Sequence, residues 1–322
     1  MRSITKRTLQ EIRGRFATAN GYILNEETPI YCPQVNGLTN LCLNEFGLKD
    51  EAQKNCLDFS RGASRDYQTR LFRREVDLTG RVISPELNSG KNSILALAFS
   101  ACGLNVNAKE IMDNLKLSPT YDKQNGLFTR EYNPISGEVN PMLVTQSNLW
   151  ASLAYSSLGK IREAKNVIRA LESSRYDSDL GLFIGQDCRD KKNESRFFVD
   201  DQALASLAYS KIGENQKAEE IIKTVLGSQF YDAKSGLFNS SFSGSDVDNT
   251  KSTYKNSFMA FALGKLGHCT ELCDVQGGLI RELYDYNDNL FCQTTKDKTK
   301  VPDNSALALV ALERPMMKLG VF

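Results

Sequence analysis

Two hydrophobic rhythms alternate along this chain. In the first, apolar residues run almost unbroken over a helical length: "NLWASLAYSSLG" from Asn148, "QALASLAYSKIG" from Gln202 and "NSFMAFALGKLG" from Asn256. Ala and Leu on every side predict helices that are buried all round. The second rhythm is a stripe. In "ENQKAEEIIKTVLGSQF" from Glu214, Ala218, Ile221, Ile222 and Leu226 fall at helical spacing and charges fill the rest, which predicts an outer helix wet on one side. Gly159, Gly213 and Gly267 follow the apolar segments at a constant offset, where a residue tolerant of positive φ ends a helix.

The alternation is a repeat. Phe72, Phe128, Phe183, Phe238 and Phe291 follow one another by 56, 55, 55 and 53 residues, each closing a "YD…GLF" stretch or a worn copy of it. An Asn or Gln ahead of each apolar helix keeps step: Asn36, Asn92, Asn148, Gln202, Asn256 and Asn304. Pro29, Pro85 and Pro141 precede the first three by seven positions. In "YDSDLGLF" the aspartate is suited to bind its own turn and the glycine to positive φ, so the stretch reads as scaffold. A calcium loop is disfavoured because "YDKQNG" and "YDAKSG" lose the ligands. Beyond each "LF", stretches such as "LFRREVDLTGRVISPE" and "LFTREYNPISGEVNPM" predict short hairpins leading into the next apolar helix.

Six apolar helices need six amphipathic partners, and the last, "NSALALVALE" from Asn304, has none after it. The amphipathic segment "SITKRTLQEIRGRF" near the start has no apolar partner of its own. Packing one on the other predicts an all-α toroid of six inner and six outer helices. The N-terminal helix closes the ring, hairpin loops gather at one end, and residues 1–322 form a single domain. A tetratricopeptide-like solenoid would repeat every ~34 residues and would not need complementary termini.

Composition narrows the partners. The chain has 322 residues with 40 basic against 39 acidic side chains, and no basic stripe that would favour nucleic acid. No apolar run reaches membrane-spanning length. The charged N-terminus lacks a signal-peptide core, and eight cysteines scattered without a CxxC pair suggest reduced thiols in a cytoplasmic protein. "HCTELC" (His268, Cys269, Cys273) lacks a second ligand cluster, so neither metal nor cofactor is expected.

The six-unit pattern resembles the six-hairpin, (α/α)6-toroid glycosidase superfamily, which includes unsaturated glucuronyl hydrolases and glucoamylase-like enzymes. The resemblance lies in the repeat and covers nearly the whole chain. It implies an open end of the toroid lined by loops leading into the inner helices, carboxylate catalysis and a small saccharide substrate. The fourth unit departs from the repeat there, with adjacent Asp200 and Asp201 just before Gln202. Capping a helix N-terminus is their structural reading, and proton donation their chemical one. Asp303 is the next candidate acid, followed by Glu75 and Glu131.

Candidate substrate contacts on the same rim are Lys91, Asn92, Gln146, Asn148, Gln202, Tyr254, Lys255, Asn256, Asn304, Arg74 and Arg130. The cations would suit an acidic, uronic-acid-containing sugar. The amide series also suits a structural use at helix starts. Trp150 reads as core, and the lone His268 disfavours an epimerase that relies on paired histidines. Two other classes stay open. One is a non-catalytic toroid that binds a ligand or a protein; the other is a terpenoid-cyclase-like enzyme, suggested by "DVDN" (Asp246, Asp248) and the Asp200–Asp201 pair.

Overall fold

Both rhythms fold as their periodicities require. The structure, a computed structural model, describes residues 2–18, 30–185 and 195–313; Pro29 and Cys188 lie outside the described residues. Twelve α-helices occur among them. The apolar series is α2 (Pro33–Glu45), α4 (Ser89–Ala101), α6 (Thr145–Ser157), α8 (Val199–Lys211), α10 (Thr253–Leu266) and α12 (Pro302–Glu313). The amphipathic series is α1 (Arg2–Glu11), α3 (Lys49–Arg61), α5 (Asn105–Leu117), α7 (Ile161–Arg175), α9 (Asn215–Gly227) and α11 (Cys269–Gly278). Every residue of α12 from Pro302 to Leu312 is buried. In α9 the buried residues are Ala218, Ile221, Ile222 and Val225. Val225, one turn after Ile221, thus takes the place the stripe assigned to Leu226.

Glycine ends the apolar helices for a conformational reason. Gly159, Gly213 and Gly267 have φ of +73°, +86° and +84°, and Gly47 and Gly103 repeat the device at +82° and +80°. The turn glycines Gly126, Gly181 and Gly236 have φ of +71°, +70° and +71°. In the two worn copies Arg70 and Asn289 occupy this place at +57° and +55°. The turn aspartates bind their own backbone: Asp177 Oδ1 accepts from the N–H of Asp179 and of Leu180, both at 3.0 Å. Tyr and Phe pair across the last four turns, with ring centroids 5.1 Å apart for Tyr176–Phe183 and 5.0 Å for Tyr231–Phe238, while in the first copy Arg65 is the partner of Phe72. The expected hairpins are present, Glu75–Asp77 with Val82–Ser84 and Leu127–Tyr132 with Val139–Leu143.

The described residues group into two compact units. In the unit made of residues 12–18 and 30–170, α4 packs between α2 and α6, with α3 on α2 and α5 on α4. In the unit made of residues 2–11, 171–185 and 195–313, α10 packs between α8 and α12. There α9 covers α8, and α1 lies on α12, where Thr5 Oγ1 donates to Glu313 Oε1 at 2.5 Å. The N-terminal helix is therefore the partner of the last apolar helix.

Candidate functional site

The Asn/Gln series is a set of clamps. Asn92, Asn148, Gln202 and Asn256 are each the fourth residue of their helix and hold the "LF" turn of their own repeat. Asn148 Oδ1 accepts from the Phe128 N–H at 2.7 Å, while Nδ2 donates to Phe128 O at 2.9 Å and to Val144 O at 3.1 Å. Asn92 does the same to Phe72 and Asn88, Gln202 to Phe183 and Phe198, and Asn256 to Phe238 and Ser252. All four are fully buried, and both amide hydrogens are spent on the backbone, which leaves no donor for a substrate. They do not cap their helices either. The side-chain caps observed are Asn88, which accepts from the Lys91 N–H, and Ser252, which accepts from that of Lys255.

The sixth unit corrects the alignment by one residue. The fourth position of α12 is Ser305, whose Oγ accepts from the Phe291 N–H at 3.0 Å and whose N–H reaches Val301 O at 3.2 Å. Asn304 is therefore the third residue of its helix. Asp303 becomes the second, in register with Asp200 and Tyr254. This register organises the first turns. A Cβ on Gly90, second in α4, would lie 2.7 Å from Oγ of Ser147, third in α6. Asp200, second in α8, likewise meets Lys255, third in α10.

The acidic pair is buried, Asp200 at 5% exposure and Asp201 at 3%. The α8 N-cap is Phe198, with no side-chain cap bond, so both acids lie inside the first turn. Lys255 Nζ sits 3.2 Å from Asp200 Oδ1, donates to Ser240 O at 3.1 Å and lies 4.7 Å from the centre of the Phe198 ring. Asp201 faces the backbone of Gly185, where an added Cβ would come within 2.5 Å of its Oδ2 and 2.1 Å of the Phe198 ring. Burial, and then the charge of Asp200, push the Asp201 carboxyl well above the ordinary carboxylate range, with Lys255 opposing. A helix N-terminus favours ionisation by about 1 kcal/mol or less at an exposed site, and here burial outweighs it. The result is a carboxyl whose neutral form is favoured by burial, beside one that faces a lysine. Asp303 is also buried, and its Oδ1 accepts from the Asn304 N–H at 2.9 Å. Tyr254 is half-buried, and its ring packs edge-on against Phe258.

The remaining candidates belong to the other unit. Arg74 lies 3.5 Å from Glu75 and 3.7 Å from Glu131, and Arg130 lies 3.9 Å from Glu131, so these cations are matched by carboxylates. Lys91 and Gln146 are half-buried in the first turns of α4 and α6. A depression of about 350 Å³ beside the hairpins is lined by Glu86, Glu131, Asn133, Glu138, Val139 and Asn140. Of these the sequence had singled out Glu131 alone. Glu86 is held below the usual carboxylate range, first by the Ser84 hydroxyl it accepts from.

Other motifs resolve as scaffold. Asp246 pairs with Arg196 at 3.0 Å and Asp248 lies 3.7 Å from Lys296, both on the Ser241–Asp248 hairpin. His268 pairs with Glu219 at 3.1 Å at the start of α11, and Trp150 is core. No group of three metal-ligating side chains is found among the described residues, and no helix there is long and apolar enough to cross a membrane. Phe198, Gly185 and Ser240 were missed by sequence reading; "FFV" ahead of Asp200 was the visible signal for the first.

No protein-family model and no curated protein sequence matches the chain. Solved structures do. Cellobiose 2-epimerase from Bacillus thermoamylovorans B4167 is similar over 98% of this chain and 100% of that one, at 12% identity and a TM-score of 0.78. D-mannose isomerase is similar over 98% and 96%, at 12% identity and 0.77. The GH76 alpha-mannanase of Bacteroides thetaiotaomicron is similar over 98% and 95%, at 11% identity and 0.73. These are (α/α)6 toroids of the six-hairpin glycosidase superfamily, and this chain has their fold. Architecture shared at such identity leaves the chemistry to be argued from residues.

Proposed function

We propose that the chain is a saccharide-processing enzyme of the glycoside-hydrolase type, with Asp201 as proton donor. The observation that carries this reading is the buried Asp201 carboxyl, pushed up by burial and by its neighbour, beside the Asp200–Lys255 ion pair. Cleaving a glycosidic bond requires an acid still protonated near neutrality and a second carboxylate that is not. Burial and the neighbouring charge suit Asp201 to the first task. Asp303, in register two helices along, is the candidate for the second, where it would activate water or stabilise positive charge on the sugar. Lys255 acts through Asp200 and is a positioning residue. The saccharide substrate is inferred from the fold, whose representatives include an epimerase, an isomerase and a mannanase acting on sugars. Proton transfer between two histidines is not available, since the chain has only His268.

A preference for acidic sugars draws little support from the cations first considered for it. Arg74, Arg130 and Lys255 each already face a carboxylate. The substrate panel should therefore pair neutral disaccharides with unsaturated and saturated uronic-acid ones. The 3% exposure of Asp201 favours one rival, a non-catalytic toroid in which the acid is internal scaffold. Asp201→Asn separates the two, because it keeps the shape and removes the proton. The catalytic reading expects activity on the best substrate to fall ~10²-fold or more with folding intact. Full activity in this variant would exclude Asp201 as the acid and turn attention to Asp303, Glu75 and Glu131.

A further inference from the structure

Two thiols of the α3–α4 pair lie in direct contact. Cys56 is on α3 and fully buried; Cys102 is the residue just past α4, at 7% exposure. Their sulfurs are 3.9 Å apart, with the Cys56 S–H donating to Cys102 Sγ. We propose that Cys56 and Cys102 form an oxidisable dithiol, which closes to a disulfide between α3 and the end of α4 when hydrogen peroxide reaches Cys102.

Geometry and chemistry favour this order. A disulfide has sulfurs about 2.05 Å apart, so the pair must close by about 1.9 Å. Rotation of the two side chains supplies part of that movement. Cys102 caps α4 with its N–H bonded to Ala98 O at 3.0 Å and its C=O accepting from Gln53 Nε2 at 3.2 Å, so the rest of the closure is a shift of the α4 end against α3, just ahead of the turn at Gly103 with φ +80°. The hydrogen bond from Cys56 holds the Cys102 thiol below its ordinary pKa, while burial pushes Cys56 well above it. The thiolate is the form that attacks a peroxide. Cys102 Sγ attacks the O–O bond, takes one oxygen as sulfenic acid and releases the other as water. The Cys56 sulfur then attacks Cys102 Sγ; the S–S bond forms, the S–O bond breaks, and a second water leaves. Two thiols lose two protons and two electrons, and one hydrogen peroxide takes them up to become two waters.

The exposed Cys269 and Cys273 compete for oxidant but not for this product. They are four residues apart on one helix, where Cβ atoms stand about 5–6 Å apart, against about 3.8 Å in a disulfide.

The test uses the full reduced chain, hydrogen peroxide, alkylation in denaturant and peptide mass spectrometry. The expected product is a Cys56–Cys102 cross-linked pair, lighter by two hydrogens than its parts and reversed by reductant. Cys32, Cys42 and Cys292 should remain alkylatable. In Cys56→Ser, Cys102 should stop at sulfenic acid and be trapped by a dione probe. Recovery of both thiols alkylated after oxidation of Cys269 and Cys273, or of Cys102 as sulfinic acid beside an intact Cys56 thiol, would overturn the proposal. So would a cross-link from Cys102 to any other cysteine.

Discussion

Replacing Asn148 by alanine tests whether the repeated amide is a clamp. The side chain makes three hydrogen bonds, two of them to the N–H and C=O of Phe128, a residue with no solvent exposure. Losing the amide strands both backbone groups where water does not reach. Each buried polar group left unpaired costs about 1–3 kcal/mol, so the variant should lose about 2–6 kcal/mol. The third partner, Val144 O, belongs to a half-buried residue that water can approach, and it adds little. Trp150, the single tryptophan and two residues along α6, makes urea unfolding readable by fluorescence. Ser305→Ala in the sixth unit is the internal control: it removes one 3.0 Å bond and strands one buried N–H, so it should cost about 1–3 kcal/mol, roughly half the Asn148 loss. Asn148→Asp adds a sign. It keeps an acceptor for the Phe128 N–H but sets the second carboxylate oxygen against two carbonyls, which raises its folded pKa. Its stability should therefore fall as pH rises above about 4. A cost below about 1 kcal/mol for Asn148→Ala, or an Asn148→Asp variant that grows more stable with pH, would refute the clamp.

Asp201 makes a related prediction. Because its folded pKa is raised, the unfolded chain releases this proton first as pH climbs past about 4, and the folded state is penalised up to its own pKa. Asp201→Asn should thus gain stability relative to the parent between pH 4 and pH 7 in matched urea titrations; a loss over that range contradicts the assignment. Gly126→Ala meets open space at φ +71° and should cost about 1–2 kcal/mol. Gly236→Ala, at the same φ, puts its Cβ 2.6 Å from Asp274 O and should cost clearly more, so equal melting shifts would be the contrary result. Deleting residues 1–11 uncovers α12 and should bring aggregation or loss of cooperative melting. A truncated chain that melts like the parent would mean that α1 contributes nothing to that face.

Much of the architecture was written in the chain because each repeat obeys short-range physics six times over. Helical periodicity separated buried from striped helices. The need for positive φ placed Gly126, Gly181 and Gly236, and the orphaned last apolar helix called for α1. Degenerate copies hid the same device. Arg70 and Asn289 adopt the left-handed conformation without glycine, and Phe16 precedes Asn36 by the same 20 residues that separate Phe72 from Asn92. A run of neighbouring polar residues also made Asn304 look like the sixth marker when Ser305 holds that register. What the amides bind, which carboxylate meets Lys255 and the reach of Arg74 across to Glu131 were decided only by the tertiary structure, whereas Glu75 and Glu131 were open to pairing with their sequence neighbours Arg74 and Arg130 from the start. A side chain's hydrogen-bond partners, and the proton it holds, depend on groups 15 to 60 residues away whose approach is set by helix packing. Asp200 and Asp201 are adjacent in sequence and alike in type. Burial and one lysine on the next apolar helix make them chemically different.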